Sequence, residues 1–383
     1  MDADVVIKGR EVMPEGAATL PARYYTDPAF FQREMDALFG RMWICAGRVE
    51  QVQQPGQYIL REALGESVII TSNPSGGVNA FYNVCRHRGT RLCTESEGHF
   101  GRSIQCPYHA WTYDLDGRLI GAPHMEEVPH FSKADYPLNR VRTDVWDGHI
   151  FINLSADEPR PLREQLDGLP EKFAPWQMQD LRLGHRIVYD VQANWKLIVQ
   201  NYNECLHCPN LHPALNRLSH YLSGENEPLR ATYMGGRMDL RPGIDTLTFD
   251  GKCSRESLPG LSAEDVRRVY YYAIFPNMLL SLHPDYMLVH TLWPIAPDRT
   301  INICEWHFHQ TELTRPDFSA QDAVDFWDLT NRQDWHVCEL SQAGISSRAY
   351  RPGPYSNRED LLYAFDRLIA QVHGGSDRGQ TPV

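Results

Sequence analysis

Two short arms constrain this chain more than any other feature. "CRHRG" puts Cys85 two places before His87, and "CPYHAW" puts Cys106 three places before His109. Residues 88–105 separate the arms. Each arm offers one thiol and one imidazole. The segments around them are "GQYILREAL", "ESVIITS", "VNAFYNVC", "WTYDLDGRLI" and "GHIFINL". These are short, rich in β-branched and aromatic residues, and divided by Gly, Pro, Asn and Asp. They predict an all-β module over residues 43–155 with a hairpin turning at Asp116-Gly117. The two arms are then loops of that module.

Four ligands of this kind suit either zinc or an iron–sulfur cluster. Cys2His2 zinc sites usually pair cysteine with cysteine and histidine with histidine, often with the histidines on a helix. Here the arms are mixed and the surroundings are strands. A Rieske-type [2Fe–2S] cluster fits better, because two histidines replace two cysteines on one iron. Each loop then gives one ligand to each iron. Neutral imidazoles in place of thiolates also reduce the negative charge and raise the reduction potential. Gly89 and Pro107 shape the loops, and Cys93 stands outside the pattern. Arg86, Arg88 and Trp111 either screen and pack the cluster or are structural.

The rest of the chain changes character. Residues 27–43 predict a helix with Asp27 as cap, Pro28 in its first turn, and Phe31, Met35, Leu38 and Met42 on one face. It dominates an N-terminal segment, residues 1–42, expected to pack on the second domain. "SADEPRPLREQLDGLPEKFAPWQ" reads as a boundary. Residues 156–383 then mix strands with long helices. One helix opens at Ser319 and carries Val324, Trp327, Asn331, Asp334 and Cys338 on one face. The last opens with a capping box, Ser356 with Glu359, and closes on Gly374-Gly375. Leu361, Leu362, Phe365, Leu368 and Ile369 form its stripe. An antiparallel sheet with long helices gathered at its end predicts an α+β domain.

A second ligand set lies in "NWKLIVQNYNECLHCPNLHP". His207 and His212 can converge on one metal if the helix ends near Pro209. An electron carrier needs an acceptor, and two histidines with a distant carboxylate make the facial triad of non-haem Fe(II) oxygenases. Asp325, Asp328, Asp334 and Glu339 are the candidates. Asp334 is preferred because it shares the apolar face with Trp327, Asn331 and Cys338, where an acid needs a charge partner. Asp328 is second. Glu204, three residues before His207, is expected one helical turn away, orienting it and bridging to a cluster histidine.

Composition narrows the partners. The formal charge is −12, from 37 basic and 49 acidic residues, which argues against nucleic acid and anionic membranes. No run approaches ~18 apolar residues, and the N-terminus lacks a signal pattern, so a cytoplasmic protein is expected. The nine cysteines cluster beside histidines, which favours ligands or buried thiols over disulfides.

With these motifs in place, the chain resembles the α subunits of Rieske non-haem iron oxygenases, the aromatic-ring-hydroxylating family. "CRHRG", "CPYHAWTYDLDGRL", "NWKLIVQNYNECLHCPNLHP" and "NRQDWHVCELSQAGISSRAYRPGPYS" carry the likeness. It implies a β-sandwich holding the cluster on Cys85, His87, Cys106 and His109. It also implies a helix-grip catalytic domain holding Fe(II) on His207, His212 and Asp334. Glu204 would bridge the two centres, and Asn201 is a further catalytic candidate. The resemblance implies dioxygen as co-substrate and electrons from NAD(P)H through a separate reductase, sometimes with a ferredoxin. It implies homotrimers in which the cluster of one subunit serves the iron of the next. No G-x-G-x-x-G follows a strand, so the reductase is expected on another chain. The tail "QAGISSRAYRPGPYS" and the glutamate at the bridge resemble the branch acting on quaternary ammonium compounds, although Leu206 replaces a frequent tyrosine. The alternatives are an aromatic-ring dihydroxylase and a non-catalytic Rieske carrier fused to a binding domain. Tyr271, Phe275, Tyr286 and Trp306 are as consistent with a cationic pocket as with core packing.

Overall fold

The computed structural model describes residues 8–9 and 11–374. Gly375 and residues 1–7, part of the stretch read for a signal, lie outside them. The chain divides into two compact units. One is Phe39–Gln165; the other joins Met1–Leu38 to Leu166–Val383.

The first unit is all-β. Its larger sheet has seven strands in the order Ile44–Arg48, His149–Asn153, Arg140–Trp146, Val78–Tyr82, Glu66–Ser72, Gln57–Ala63 and Glu97–His99. Val68, Ile69 and Ile70 are all buried, so this central strand is covered on both faces. A second sheet of three strands, Ser103–Gln105, Thr112–Asp114 and Leu119–Gly121, carries the expected hairpin. Gly117 stands there at φ +82°, and a Cβ on it would lie 2.4 Å from Phe81 Cε1. Only glycine meets both the turn and the close approach. Between the sheets lies a core of Ile69, Phe81, Leu92, Ile104, Trp111 and Tyr113, into which Cys85 and Cys106 project.

The second unit is α+β. Its seven strands are antiparallel, in the order Leu181–Val191, Arg299–His309, Tyr286–Ala296, Met278–Leu282, Arg268–Ile274, Tyr233–Asp239 and Glu225–Asn226. Four helices matter most: α1 (Pro28–Glu34), α2 (Trp195–Tyr202), α3 (Gln321–Ile345) and α4 (Asp360–Val372). α3 is joined to the start of α2 by Gln342 Oε1, which accepts the Asn194 N–H at 3.0 Å. Val324, Trp327, Asn331 and Cys338 are buried on its inner face, as their spacing predicts.

Three local expectations change. Asp27 caps α1 by accepting the Ala29 N–H at 2.7 Å, but α1 passes into a π-helical turn over Met35–Phe39 and ends before Trp43. Phe31 and Met42 are only half-buried. The anchor is a charge instead. Glu34 is fully buried and receives Lys196 Nζ at 2.6 Å and Trp195 Nε1 at 3.0 Å. Periodicity cannot reveal such a pair, because it scores apolar residues and a buried acid reads as surface. Ser319 lies one residue ahead of the cap position of α3, and its Oγ still accepts the Gln321 N–H at 3.1 Å. At α4, Glu359 reaches back to the Ser356 N–H at 2.8 Å, and the helix proper starts at Asp360. Leu361, Leu362, Phe365 and Ile369 are buried there, whereas Leu368 is half-buried and Asp366 joins the buried face.

Candidate metal centres and the adjoining cavity

The first arm follows strand Val78–Tyr82 as a tight turn. Cys85 N–H donates to Thr90 O at 2.9 Å, and Gly89 N–H donates to Cys85 O at 3.0 Å. The second arm is the loop between strands Ser103–Gln105 and Thr112–Asp114, closed by Cys106 N–H on Trp111 O at 2.8 Å. The thiols are buried, while His87 is exposed and His109 half-exposed. The two imidazoles face each other with centroids 4.8 Å apart. The loops therefore present sulfur from the core side and nitrogen from the solvent side. That donor set, two thiols and two imidazoles, fits a [2Fe–2S] cluster of the Rieske type.

The neighbours of this site have definite contacts. Trp111 stacks on His87 at 4.8 Å with the rings nearly parallel. Arg88 lies over the Tyr108 ring at 5.2 Å. Arg86 donates its backbone N–H to the Tyr113 hydroxyl at 3.1 Å, leaving the hydroxyl proton for Cys85 Sγ at 3.4 Å. Burial pushes the Cys85 thiol up, and the Tyr113 contact acts against that rise. Burial, His109 and Arg88 together hold the His87 imidazole below its ordinary value, in the neutral form a metal requires. Tyr113 escaped the sequence reading because it looked like an ordinary strand aromatic.

The second constellation is assembled by a break in the helix. α2 stops at Tyr202, well before Pro209, and Asn203–His207 is irregular. Glu204 and His207 are therefore not one helical turn apart on a helix, as expected. A turn achieves the same end: Glu204 Oε2 accepts the Leu206 N–H, and Oε1 lies 2.6 Å from His207 Nδ1. Pro209 and Pro213 each open a short helix, Cys208–Leu211 and Pro213–Leu218. His207 and His212 flank the first of these. Cys205 and Cys208 are joined as a disulfide around His207, although ligands or buried thiols were favoured over disulfides; the other seven are free. The C-x-x-C spacing in "CLHC" was the available signal.

From α3, Asp334 meets these histidines. Its Oδ1 is 2.8 Å from His212 Nε2 and 3.4 Å from His207 Nε2. One donor atom from each of the three residues falls within 4.8 Å of the others. Two imidazole nitrogens and one carboxylate oxygen make a donor set suited to Fe(II). The outer nitrogens are held as well. His207 Nδ1 has Glu204, and His212 Nδ1 has Gln333 Oε1 at 2.8 Å. Burial works against charge on His207, but the hydrogen bond and charge of Glu204 and the charge of Asp334 outweigh it and raise its pKa. The rival acids are engaged elsewhere. Asp328 accepts from Tyr189 Oη at 2.7 Å and pairs with Arg332 at 2.8 Å, and Glu339 accepts the Gln192 N–H at 3.0 Å. Asp325 holds the Gln321 side chain. Gln333 was missed although it adjoins Asp334.

A cavity opens beside Asp334. Asn201, Tyr202, Tyr271, Trp327 and Trp335 line it, with His290. Tyr202 is tethered by its hydroxyl to Ser281 Oγ at 2.8 Å. Gly235 permits the Tyr271 wall to sit close, since a Cβ there would stand 2.3 Å from Tyr271 O. His290 is buried, and burial pushes its pKa down to about 4, so it is neutral. Of the four aromatic residues weighed from sequence, only Tyr271 is among the lining residues. Phe275 packs on Phe365, Tyr286 on His283, and Trp306 on His185.

Residues 178–375, more than half of the chain, match the family described as the ring-hydroxylating α subunit (catalytic domain). The chain belongs to that family. Residues 42–132 match the Rieske [2Fe–2S] domain. The chain is 30% identical over 366 residues to the glycine betaine monooxygenase oxygenase subunit of Pseudomonas aeruginosa, covering 88% of this chain and 85% of that one. It is 32% identical over 344 residues to the carnitine monooxygenase oxygenase subunit of Escherichia coli K12, covering 88% and 87%. The crystal structure of the quaternary ammonium Rieske monooxygenase CntA in complex with substrate L-carnitine matches with TM-score 0.78 at 26% identity, over 95% of this chain and 99% of that one. Naphthalene 1,2-dioxygenase from Rhodococcus, at 18% identity and TM-score 0.71, shares the fold. As a member of the family, the chain is the oxygenase component of a multicomponent oxidoreductase that works with dioxygen, a [2Fe–2S] cluster, mononuclear iron and a separate reductase. Among the described residues no helix is long and apolar enough to cross a membrane.

Proposed function

We propose that this oxygenase subunit hydroxylates an N-methyl or adjacent carbon of a quaternary ammonium compound. In this reading Cys85, His87, Cys106 and His109 hold the cluster, and His207, His212 and Asp334 hold Fe(II). Glu204 carries electrons between the centres of neighbouring subunits in a cytoplasmic homotrimer, supplied by a flavin or iron–sulfur reductase with or without a ferredoxin. Asn201 faces the same cavity. When bound, the iron supplies open positions for dioxygen and substrate, and the cluster supplies electrons singly.

The protein's own groups then have separate tasks. Glu204 and Gln333 hold the outer nitrogens of the two histidines, so that both Nε2 atoms face Asp334. The observation that carries the substrate class is the cavity wall. Tyr202, Tyr271 and Trp327 line the cavity beside the triad, and a methylated ammonium is attracted to aromatic rings by cation–π and apolar contact. A neutral His290 adds no repulsion. Hydroxylating an N-methyl group consumes dioxygen, two electrons and two protons, releases water, and leaves a carbinol that sheds formaldehyde.

The test is dioxygen uptake with a surrogate reductase across quaternary amines and aromatic acids, scored for formaldehyde and carbonyl products. Substrate-dependent uptake with an oxidised ammonium product is expected. A cis-diol from an arene, with every ammonium inert, overturns the reading.

A further inference from the structure

The disulfide between Cys205 and Cys208 encloses Leu206 and His207, so a candidate iron ligand sits inside a covalent loop. The loop lies where the backbone is least regular. α2 has ended at Tyr202, and the next helix begins at Cys208. Two hydrogen bonds also tie the turn: Glu204 Oε2 accepts the Leu206 N–H, and Cys208 N–H donates to Cys205 O at 3.1 Å. His207 and the Glu204 that orients it thus lie within or beside the crosslinked segment. The two sulfurs differ in access. Cys208 is buried, whereas Cys205 is half-buried and lines both the cavity beside Asp334 and a smaller pocket with Leu206, Tyr221 and Leu222. In a cytoplasmic protein a disulfide is usually transient and redox-active rather than structural. The other seven cysteines are unpaired, so this link belongs to no disulfide framework.

We propose that Cys205 and Cys208 form a thiol–disulfide switch that sets how firmly His207, His212 and Asp334 hold iron. Oxidised, the pair clamps the turn with His207 Nε2 toward Asp334 and Nδ1 on Glu204. Reduced, the turn keeps only its hydrogen bonds, and the imidazole is less firmly aimed. The exchange balances with a cellular dithiol. Its sulfurs join to each other, the Cys205–Cys208 bond breaks, and two hydrogens pass to the two cysteines; a cellular disulfide reverses the step. The inference rests on the triad holding iron in a cytoplasmic protein and is independent of the substrate.

The test follows iron release to phenanthroline from the full-length, cluster-loaded protein under argon, after treatment with dithiothreitol or with oxidised glutathione. Cluster absorption checks integrity, and alkylation followed by mass analysis counts the thiols. The reduced protein is expected to show two more alkylated cysteines and to release its mononuclear iron about ten-fold faster. Cys205→Ser/Cys208→Ser should release iron at the fast rate after either treatment. Equal release from the two wild-type states, a pair that never oxidises, or a double variant that still responds overturns the switch alone. The wild-type comparison decides the matter if the double variant loses its cluster. A wild type with no iron beyond its cluster overturns the iron assignment and this inference with it.

Discussion

Glu204 Oε1 lies 2.6 Å from His207 Nδ1, so a carboxylate fixes which nitrogen of that imidazole faces Asp334. With Nδ1–H donated to the acid, Nε2 keeps its lone pair for metal. Glu204→Gln keeps an acceptor at this place but removes the charge. The variant is expected to retain the cluster spectrum and most of its iron. Rapid-mixing reoxidation of the reduced cluster in the presence of substrate should slow. Unaltered transfer would remove Glu204 from the electron path.

Asp334 is the sole carboxylate within reach of both histidines among the described residues. Asp334→Ala should lower the iron content from about three to about two per chain, leave the cluster absorption intact, and abolish turnover. Metal analysis with visible spectroscopy decides it. A wild type already at two irons would favour the non-catalytic carrier, and zinc without visible absorption would remove the cluster assignment.

Gln333 does for His212 what Glu204 does for His207, without a charge. Gln333→Leu frees the imidazole to adopt the other tautomer. Iron affinity should fall about 10- to 100-fold, the usual cost of losing an outer-nitrogen partner. Chelator competition followed by iron analysis measures it.

Tyr113 donates to Cys85 Sγ once its oxygen has accepted the Arg86 N–H. A hydrogen bond to a cluster sulfur stabilises the reduced, more negative state. Tyr113→Phe should therefore lower the cluster reduction potential in a spectroelectrochemical titration. An unchanged potential would make the contact merely structural.

Asp366 is buried beneath Tyr355 and Gln200, and burial raises its pKa to about 7 against their hydrogen bonds. The unfolded value is about 4. Between those values the folded chain holds a proton that the unfolded chain has released, so this group's contribution to stability falls as pH rises from about 4 to 7. Thermal unfolding midpoints should decline with pH more steeply in the wild type than in Asp366→Asn across that window. Parallel profiles would refute the assignment.

The sequence made some features legible and hid others for definable reasons. The meeting of the two loops that carry Cys85, His87, Cys106 and His109 could be anticipated because the spacing within each arm is local and the turns enclosing them are short. The approach of Asp334 to His207 and His212 could be anticipated because a charge on an apolar helical face is conspicuous. The turn that joins Glu204 to His207 could not be, since the same three-residue spacing serves a helix or a loop. Polar partners such as the buried Glu34 and Asp366 and the half-buried Gln333 were invisible because their counterparts lie far along the chain. The cavity wall was misjudged for the same reason. Tyr271 and Phe275 stand on or beside one strand, yet only Tyr271 lines the cavity.

Asp334 and Gln333 are consecutive residues of α3, and they address the two opposite nitrogens of His212. The rotational phase of this helix thus gauges the whole centre. Deleting one residue between its start and position 333 would turn both side chains by about 100° and withdraw them together. Changes in chain length within α3 upstream of this pair would therefore separate both side chains from His212 in one step.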